Sequence, residues 1–355
     1  MRTLMRITPM RITQYLFIVL LLSSLFSCKY INKNKTHFDK ITMPRTELPF
    51  FSIKDTPEVK AELVLSKSTV TNRFAIKLYA FFEREKYKVY RFTFPTAKVI
   101  SESENTVTAY YYKPKKIKGK LPLILVFPIL DGDHIVCEWQ SKILAGYGFA
   151  VVRFEKKKGF LKTDVKPEFH REILQQTIID SRRALDWICT WPEIDTTRIG
   201  VTGVSLGSIS ASLLMAADER IHAGAFFLFG GNIPKIIATS NETNVVKLRN
   251  RLLSKIPFSD LENYLTPLYK DVDPITYADR LDPAHILMVS ANRDKVIIPS
   301  VTKEIWKKLG EPPWIKIPFV GHYTAAAYFF YGNKRMAKFF KKQFEEKVKP
   351  TELKK

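Results

Sequence analysis

The sequence predicts an α/β fold, with a mostly parallel, doubly wound sheet of about eight strands and a small helical cap. Three observations carry this prediction. Short apolar runs alternate along the chain with longer segments of helical periodicity, an order typical of parallel strands joined by helices. A Gly-x-Ser-x-Gly pattern lies between one apolar run and a helix-like segment. A helical stretch at 232–281 separates two of the strand-like runs.

The predicted strands differ in pattern according to their place in the sheet. Residues 87–94 and 106–112 alternate between apolar and polar side chains, which is typical of half-buried strands. The later runs are almost continuously apolar, as expected for central strands that are buried on both faces. These later runs occupy residues 121–127, 150–154, 199–204, 223–229, 285–290 and 314–319.

Helical periodicity marks the segments between these strands. Residues 169–190 form a long predicted helix, since apolar residues recur there at the spacing of one helical face. A second helix is predicted at residues 208–217. Within 232–281, Leu248 and Leu252 fall at helical spacing, and we interpret this segment as a cap that shields a pocket from water. The alternative is that this segment packs on the domain and has no gating role.

The Gly-x-Ser-x-Gly pattern, Gly203-Val204-Ser205-Leu206-Gly207, is the most informative part of the chain. A strand leads into it and a helix leads out, so Ser205 would lie on a sharp strand-to-helix turn. Glycine at 203 and 207 lets backbone segments approach too closely for a Cβ. Unpaired N–H groups at the start of the helix can stabilise an oxyanion. We therefore predict that Ser205 is a nucleophile. The alternative is a small-residue turn that only packs a helix onto a strand.

A serine nucleophile needs an adjacent base, and the base needs an orienting carboxylate. The chain has six histidines, and His322 is the one that directly follows a downstream strand, the run at 314–319. Asp294 follows the run at 285–290. Since ligands of such sheets gather at the carboxyl ends of the strands, we predict that Asp294 and His322 meet Ser205 there. A helix-capping aspartate and an ordinary turn histidine are the alternatives.

The order Ser205, Asp294, His322 resembles that of the α/β-hydrolase superfamily. The segment at 180–208, DSRRALDWICTWPEIDTTRIGVTGVSLGS, resembles the helix, strand and nucleophile turn of its exported esterase and dienelactone-hydrolase-like branches. The resemblance covers roughly residues 86–344. It implies the α/β-hydrolase fold, with the first two strands antiparallel, and serine hydrolase chemistry.

The resemblance also implies an oxyanion hole made by two backbone N–H groups. One belongs to Leu206, directly after the nucleophile, and the other to the loop after the strand at 121–127. Many relatives carry His-Gly where this chain has Phe127-Pro128. Proline has no N–H, so Ile129 is the predicted second donor, with Leu130 as the alternative. Because of this departure, the alternative remains that the protein is a relative of these enzymes that has lost activity.

The expected function is cleavage of carboxylic esters through a Ser-His-Asp triad and an acyl-enzyme. The alternatives are a peptidase or amidase with the same triad, and a non-catalytic envelope lipoprotein that uses the fold as a binding scaffold. The expected partner is a small-molecule ester or acyl substrate. No metal or other cofactor is predicted, because the chain has no C-x-x-C, H-E-x-x-H or phosphate-loop pattern. Candidates for lining an acyl pocket, with core packing as the alternative, are Phe160, Leu161, Phe229 and Tyr323.

The N-terminal segment has the features of a targeting sequence. Three arginines precede a short apolar run at 15–26, which ends in Leu25-Phe26-Ser27-Cys28. This pattern resembles a bacterial lipoprotein signal over residues 1–27. It implies that Cys28 carries lipid such as palmitate and anchors the protein in the cell envelope, at the outer membrane if the cell is Gram-negative. An ordinary signal peptide or membrane anchor is the alternative.

The rest of the chain divides by composition. We predict a polar tether at 28–56, the hydrolase domain with its cap at 57–345, and a basic tail at 346–355. The formal net charge is +22, with lysine clusters at 113–120 and 156–158 and toward the C-terminus. For an exported protein, such a surface fits anionic lipid or acidic glycan, and no nucleic-acid partner is predicted. A generally basic surface without a specific partner is the alternative.

Two further cysteines, Cys137 and Cys189, raise the question of a disulfide in an oxidising compartment. The resemblance implies that their helices pack on opposite faces of the sheet. Two free, buried thiols are therefore expected.

Overall fold

The computed structural model describes residues 29–31, 63–65, 86–97, 99–100, 105–116, 118–130 and 135–348. The predicted signal peptide, the predicted lipidation site Cys28, most of the predicted tether and most of the predicted tail lie outside the described residues. Within the described ranges, no helix is long and apolar enough to cross a membrane.

A single sheet organises the described residues. Its strands are β1 (Lys29–Ile31), β2 (Val64–Leu65), β3 (Tyr87–Pro95), β4 (Thr106–Pro114), β5 (Leu121–Phe127), β6 (Ala150–Phe154), β7 (Ile194–Val204), β8 (Ile221–Phe227), β9 (Ile286–Ala291) and β10 (Trp314–Ile317). They lie in the order β1-β10-β9-β8-β7-β5-β6-β4-β3-β2. The six strands from β10 to β6 in this order pair in parallel.

The predicted mostly parallel sheet of about eight strands is confirmed in its main part, β3 to β10. β3 and β4 pair antiparallel, as the resemblance implied. Two short antiparallel edge strands, β1 and β2, were not predicted. The predicted strand at 314–319 was two residues too long, because β10 ends at Ile317 and Phe319 adopts a positive φ of 61°.

Helices cover both faces of the sheet. They are α1 (Ile135–Gly146), α2 (Pro167–Ile188), α3 (Leu206–Ala217), α4 (Ile233–Thr239), α5 (Thr243–Leu253), α6 (Phe258–Tyr269), α7 (Pro299–Lys308) and α8 (Phe329–Val348). Buried side chains of α2, α3 and α7 form one apolar cluster, and those of α1 and α8 form another. The sheet is therefore doubly wound.

The central strand β5 shows why a continuous apolar run was needed. Leu123 and Leu125 are fully buried in the cluster of α2 and α3. Ile124 and Val126 are fully buried in the cluster of α1 and α8. Because successive side chains of a strand point to opposite faces, both faces of β5 must be apolar.

The insertion at 232–281 contains the helices α4, α5 and α6, between β8 and β9. Its two ends are tied together by Asp273, whose carboxylate accepts backbone N–H groups of Asn232 and Ile233. The helical cap of the prediction is present at this position, and its gating role stays a prediction.

Candidate active site

Ser205 lies on the turn between β7 and α3, in a backbone conformation that few residues adopt. Its φ is 56° and its ψ is −120°. Its N–H donates to the carbonyl of Phe227 over 2.9 Å, which holds the turn against β8. A positive φ is uncommon for a residue with a side chain, and such strain concentrates at functional turns. This is the geometry that the Gly-x-Ser-x-Gly pattern requires.

Glycine is needed on both sides of Ser205. A Cβ on Gly203 would lie 2.2 Å from the carbonyl carbon of Gly207. A Cβ on Gly207 would lie 2.6 Å from the carbonyl oxygen of Phe127 and 2.8 Å from that of Pro128. The turn therefore closes on itself and on the loop after β5, and any larger residue would push these segments apart.

The imidazole of His322 lies between Ser205 and Asp294. Its Nε2 is 3.0 Å from the Ser205 Oγ, and its Nδ1 is 2.8 Å from the Asp294 Oδ2. Its side chain is 10% exposed. With Nδ1–H donating to the carboxylate, Nε2 presents a lone pair to the serine hydroxyl. The structure thus brings together the three residues selected from the sequence.

The carboxylate of Asp294 is held by backbone groups. Its Oδ1 accepts the N–H of Val296 over 2.8 Å and that of Ile297 over 2.9 Å. The residue is only 4% exposed. Because these donors satisfy one oxygen, the other is left in a fixed direction toward His322. Hydrogen bonds to an ionised group are strong, which makes its burial tolerable.

The loops that carry Asp294 and His322 are joined to each other. The N–H of Arg293 donates to the carbonyl of Val320 over 3.0 Å. The N–H of Asn292 donates to the carbonyl of Ile317 over 3.0 Å. These bonds continue the β9–β10 pairing beyond the strands, so the acid and the base are positioned by one extended ladder.

The three residues predicted for the oxyanion hole differ in their position relative to Ser205. Leu206 is the first residue of α3, where backbone N–H groups have no partner within the helix. Leu130, the alternative second donor, lines the same pocket as Ser205 and Leu206. The half-buried side chain of Ile129 packs against the cluster of α1 and α8 on the other face of the sheet. The assignment of Ile129 as second donor stays a prediction.

A pocket of about 850 Å³, including its open mouth, begins at Ser205 and extends under the cap. Its lining comprises Leu130, Phe160, Thr163, His170, Leu174, Ser205, Leu206, Ile209, Ile233, Ile236, Ile237, Ser240, Glu242, Asn244, Val245, Leu248, Tyr269, Val296 and Ile297. Of the four candidates named from the sequence, Phe160 is in this lining. Phe229 is fully buried in the core, and Tyr323 is 67% exposed.

Sequence reasoning missed two features of this pocket. The first is the isoleucine-rich wall of α4. The second is His170, whose Nε2 lies 2.7 Å from the carbonyl oxygen of Lys162. Burial lowers the pKa of His170, which favours its neutral imidazole. A histidine on a long amphipathic helix gives no signal in the sequence that distinguishes a pocket wall from a packed surface.

The two cysteines of the described domain are free thiols. Cys137 is buried, and burial raises the pKa of its thiol to about 11. Cys189 follows α2 directly and is half-buried rather than buried as expected, because it lies at the end of the helix. In the part of the chain that the structure describes, no group of three or more His, Cys, Asp or Glu side chains is placed to hold a metal ion.

Solved structures with a similar backbone include two acetyl xylan esterases. The enzyme from Paenibacillus sp. R4 matches with a TM-score of 0.59, and that from Thermoanaerobacterium sp. JW/SL YS485 with 0.57. Both are 17% identical and cover 80% of this chain and 89% of their own. The chain adopts the α/β-hydrolase fold. A putative dipeptidyl aminopeptidase IV from Bacteroides ovatus ATCC 8483 shares this α/β-hydrolase backbone, with a TM-score of 0.53, 15% identity and coverage of 72% of this chain and 36% of that one.

Sequence comparisons reach similar proteins over part of their length. No protein-family model matches the chain. The inactive dipeptidyl peptidase 10 of Mus musculus is 22% identical over 210 residues, which are 55% of this chain and 25% of that protein. The putative hydrolase YtaP of Bacillus subtilis (strain 168) is 26% identical over 134 residues, 32% of this chain and 45% of that protein. The chain thus matches less than half of each of these curated relatives.

Proposed function

We propose that the protein is a serine hydrolase that cleaves carboxylic esters. The observation that carries the proposal is the position of the His322 imidazole, within hydrogen-bond distance of both the Ser205 hydroxyl and the Asp294 carboxylate. A nucleophile, a base and an orienting acid in this arrangement are the requirements of acyl transfer. The strained turn at Ser205 adds support, because it exposes the hydroxyl at the mouth of a pocket.

The proposed reaction has two halves, formation of an acyl-enzyme and its hydrolysis, and His322 acts as base and then as acid in each. Ser205 Oγ attacks the ester carbonyl carbon while His322 Nε2 takes the hydroxyl proton. The N–H group of Leu206 stabilises the oxyanion of the tetrahedral intermediate together with a second N–H from the loop after β5, that of Ile129 or that of Leu130. The intermediate expels the alcohol, which takes the proton from His322 and leaves an acyl group on Ser205. Water then attacks that acyl group while His322 takes its proton, the bond between the acyl carbon and Ser205 Oγ breaks, and His322 returns the proton to Ser205 as the carboxylic acid leaves. Asp294 stabilises the imidazolium in both halves.

A panel of ester and aminoacyl substrates tests this proposal. We expect ester hydrolysis by the wild-type protein and loss of turnover in Ser205→Ala, with an unchanged circular dichroism spectrum and melting temperature. Turnover that survives in Ser205→Ala would exclude the mechanism. Faster cleavage of aminoacyl anilides than of esters would point to the amidase alternative, and no turnover of any substrate to the scaffold alternative.

We also propose that lipid on Cys28 anchors the protein in the cell envelope. The support is the apolar run before Leu25-Phe26-Ser27-Cys28 and the basic surface, which suits anionic lipid. The neighbouring Lys29 lies opposite Lys316 in the antiparallel pairing of β1 with β10. Lys316 is near the carboxyl end of β10, and the candidate active site lies at the carboxyl ends of the parallel strands. Labelled palmitate should enter the wild-type protein in cells. Label that persists in Cys28→Ser would exclude this site.

A further inference from the structure

We infer that the pocket beside Ser205 holds a medium-length aliphatic chain, so that the substrates are esters carrying such a chain rather than acetyl esters. The inference rests on the proposed function, since it names the substrate class of that site. Three observations support it: the pocket wall is apolar, the pocket extends from Ser205 to the cap helices, and polar residues of its lining are hydrogen-bonded within the protein.

The wall of the pocket is built from branched aliphatic side chains on three helices. Ile209 comes from α3, directly after the nucleophile turn. Ile233 and Ile237 come from α4, and Val245 and Leu248 come from α5. Such a wall binds by removing apolar surface from water, and it discriminates by the length and width of the chain it encloses.

The pocket is long because the cap forms its far end. The nucleophile helix α3 packs on the sheet, whereas α5 packs on α4 and α6. A cavity lined both by Ser205 and by Leu248 therefore extends from the turn to the cap helices. Counted with the open solvent at its mouth, the cavity measures about 850 Å³, which is an upper bound on what it encloses. A chain that reaches from Ser205 to the cap helices must be longer than an acetyl group.

The polar lining residues next to the start of α5 already have partners within the protein. The carboxylate of Glu242 accepts the N–H of Val245 over 2.8 Å and the side-chain amide of Asn244 over 3.2 Å. The hydroxyl of Ser240 accepts the N–H of Glu242 over 3.1 Å. Because these groups are engaged at the start of α5, a ligand gains little by presenting hydroxyls to them. This favours an aliphatic chain over the ring of a sugar.

Two series of esters test the inference. The first varies the acyl chain from acetyl to decanoyl with a p-nitrophenol leaving group, and the second varies the alcohol of alkyl acetates. Each methylene that enters the pocket should raise kcat/KM about fourfold until the pocket is full. We therefore expect kcat/KM for octanoyl over acetyl, or for octyl over ethyl, to exceed about tenfold once two of the six added methylenes enter the pocket. The series that shows the dependence identifies which half of the ester occupies the pocket.

A matched pair of variants on α5 ties the preference to this pocket. Val245→Phe fills the pocket, whereas Val246→Phe adds the same side chain at the next position, which does not line it. The preference for the long chain should fall about tenfold in Val245→Phe, the effect of displacing one or two methylenes, and should persist in Val246→Phe. An equal loss of preference in both variants would overturn the assignment of the chain to this pocket.

A small fluorophosphonate separates failure of the inference from failure of the proposed function. If the probe labels Ser205 and acetyl esters are hydrolysed at least as fast as long-chain esters in both series, the inference is wrong and the hydrolase proposal stands. If the probe does not label Ser205 in folded protein and no ester is hydrolysed, the proposed function fails and the inference fails with it.

Discussion

His322 and Asp294 are joined by a 2.8 Å hydrogen bond whose direction is set by the main chain. The other oxygen of the Asp294 carboxylate is occupied by the N–H groups of Val296 and Ile297. The rotation of the carboxylate is therefore already restricted before it orients the imidazole. In physical terms, the turn after β9 prepares the base before any substrate binds.

Asp294→Asn should lower kcat/KM by about 10³–10⁴ without unfolding the protein. The asparagine can keep its oxygen on the Val296 and Ile297 N–H groups, which turns its amide NH₂ toward His322 Nδ1. The imidazole must then carry its proton on Nε2, where it cannot accept the Ser205 proton. Ester hydrolysis with a fixed substrate measures the effect.

The matched control for that variant is Asp282→Asn. Asp282 also accepts a backbone N–H, that of Ala284, and also lies beside a histidine, His285, at 3.9 Å. Its substitution should leave kcat/KM unchanged. A loss of less than tenfold in Asp294→Asn would contradict the assigned role of this carboxylate.

Gly207→Ala should disturb the candidate active site by a steric clash with the loop after β5. The new Cβ would meet the carbonyl oxygens of Phe127 and Pro128, so the loop carrying the second oxyanion donor must move. Loss of one donor lowers kcat by about 10²–10³, and we expect a decrease of that size. Gly148→Ala is the comparison, since it has a φ of 95° but open space around its Cβ. That variant should lose some stability and retain kcat; the reverse pattern would refute the role of Gly207.

Asp273 should make stability depend on pH between about 4 and 6. Burial raises the pKa of Asp273 to about 6, although backbone N–H groups of Asn232, Ile233 and Ile275 donate to it. Between the unfolded pKa near 4 and this value, the folded state binds the proton more tightly. The contribution to stability is therefore full below pH 4, falls as pH rises and levels off above pH 6.

Denaturant unfolding from pH 4 to pH 7 measures this effect. Asp273→Asn cannot release the proton, so its stability relative to wild type should improve over this range, by up to about 2 kcal/mol. Asp260→Asn, at an exposed position in the first turn of α6, provides the control. A constant difference between Asp273→Asn and wild type across the range would contradict the raised pKa.

The thiols of Cys137 and Cys189 should differ in reactivity. Cys137 is 1% exposed with a pKa raised to about 11, and Cys189 is half-buried. Maleimide at pH 7.5 should therefore label Cys189 first in native protein, and both residues in denaturant without reductant. Mass spectrometry locates the labels. Failure of both to react in denaturant until a reductant is added would show that they are paired.

The sequence predicted the residues of the candidate site better than its walls. Ser205, Asp294 and His322 each follow an apolar run, and parallel strands bring the ends of such runs to one edge. This argument depends only on which residues follow a parallel strand, so errors of a few residues in the predicted strand bounds do not change its result. The edge strands β1 and β2 are too short to leave a periodic signal.

Most of the pocket lining escaped prediction for a different reason. Helical spacing indicates that Ile233, Ile236 and Ile237 face inward, yet it does not distinguish a packed core from a cavity. That distinction depends on how far α4 and α5 stand from α3, which is a property of tertiary packing. Phe229 illustrates the converse error, since a large aromatic residue near the site lies wholly within the core.

The most direct test of the central claim is the reaction of the purified protein with a fluorophosphonate probe, with the adduct located by mass spectrometry. Ser205 should carry the adduct, and labelling should fall by orders of magnitude in His322→Ala because the base is lost. Labelling that is equal in wild-type protein and His322→Ala, or absent from folded wild-type protein, would contradict an activated nucleophile at Ser205.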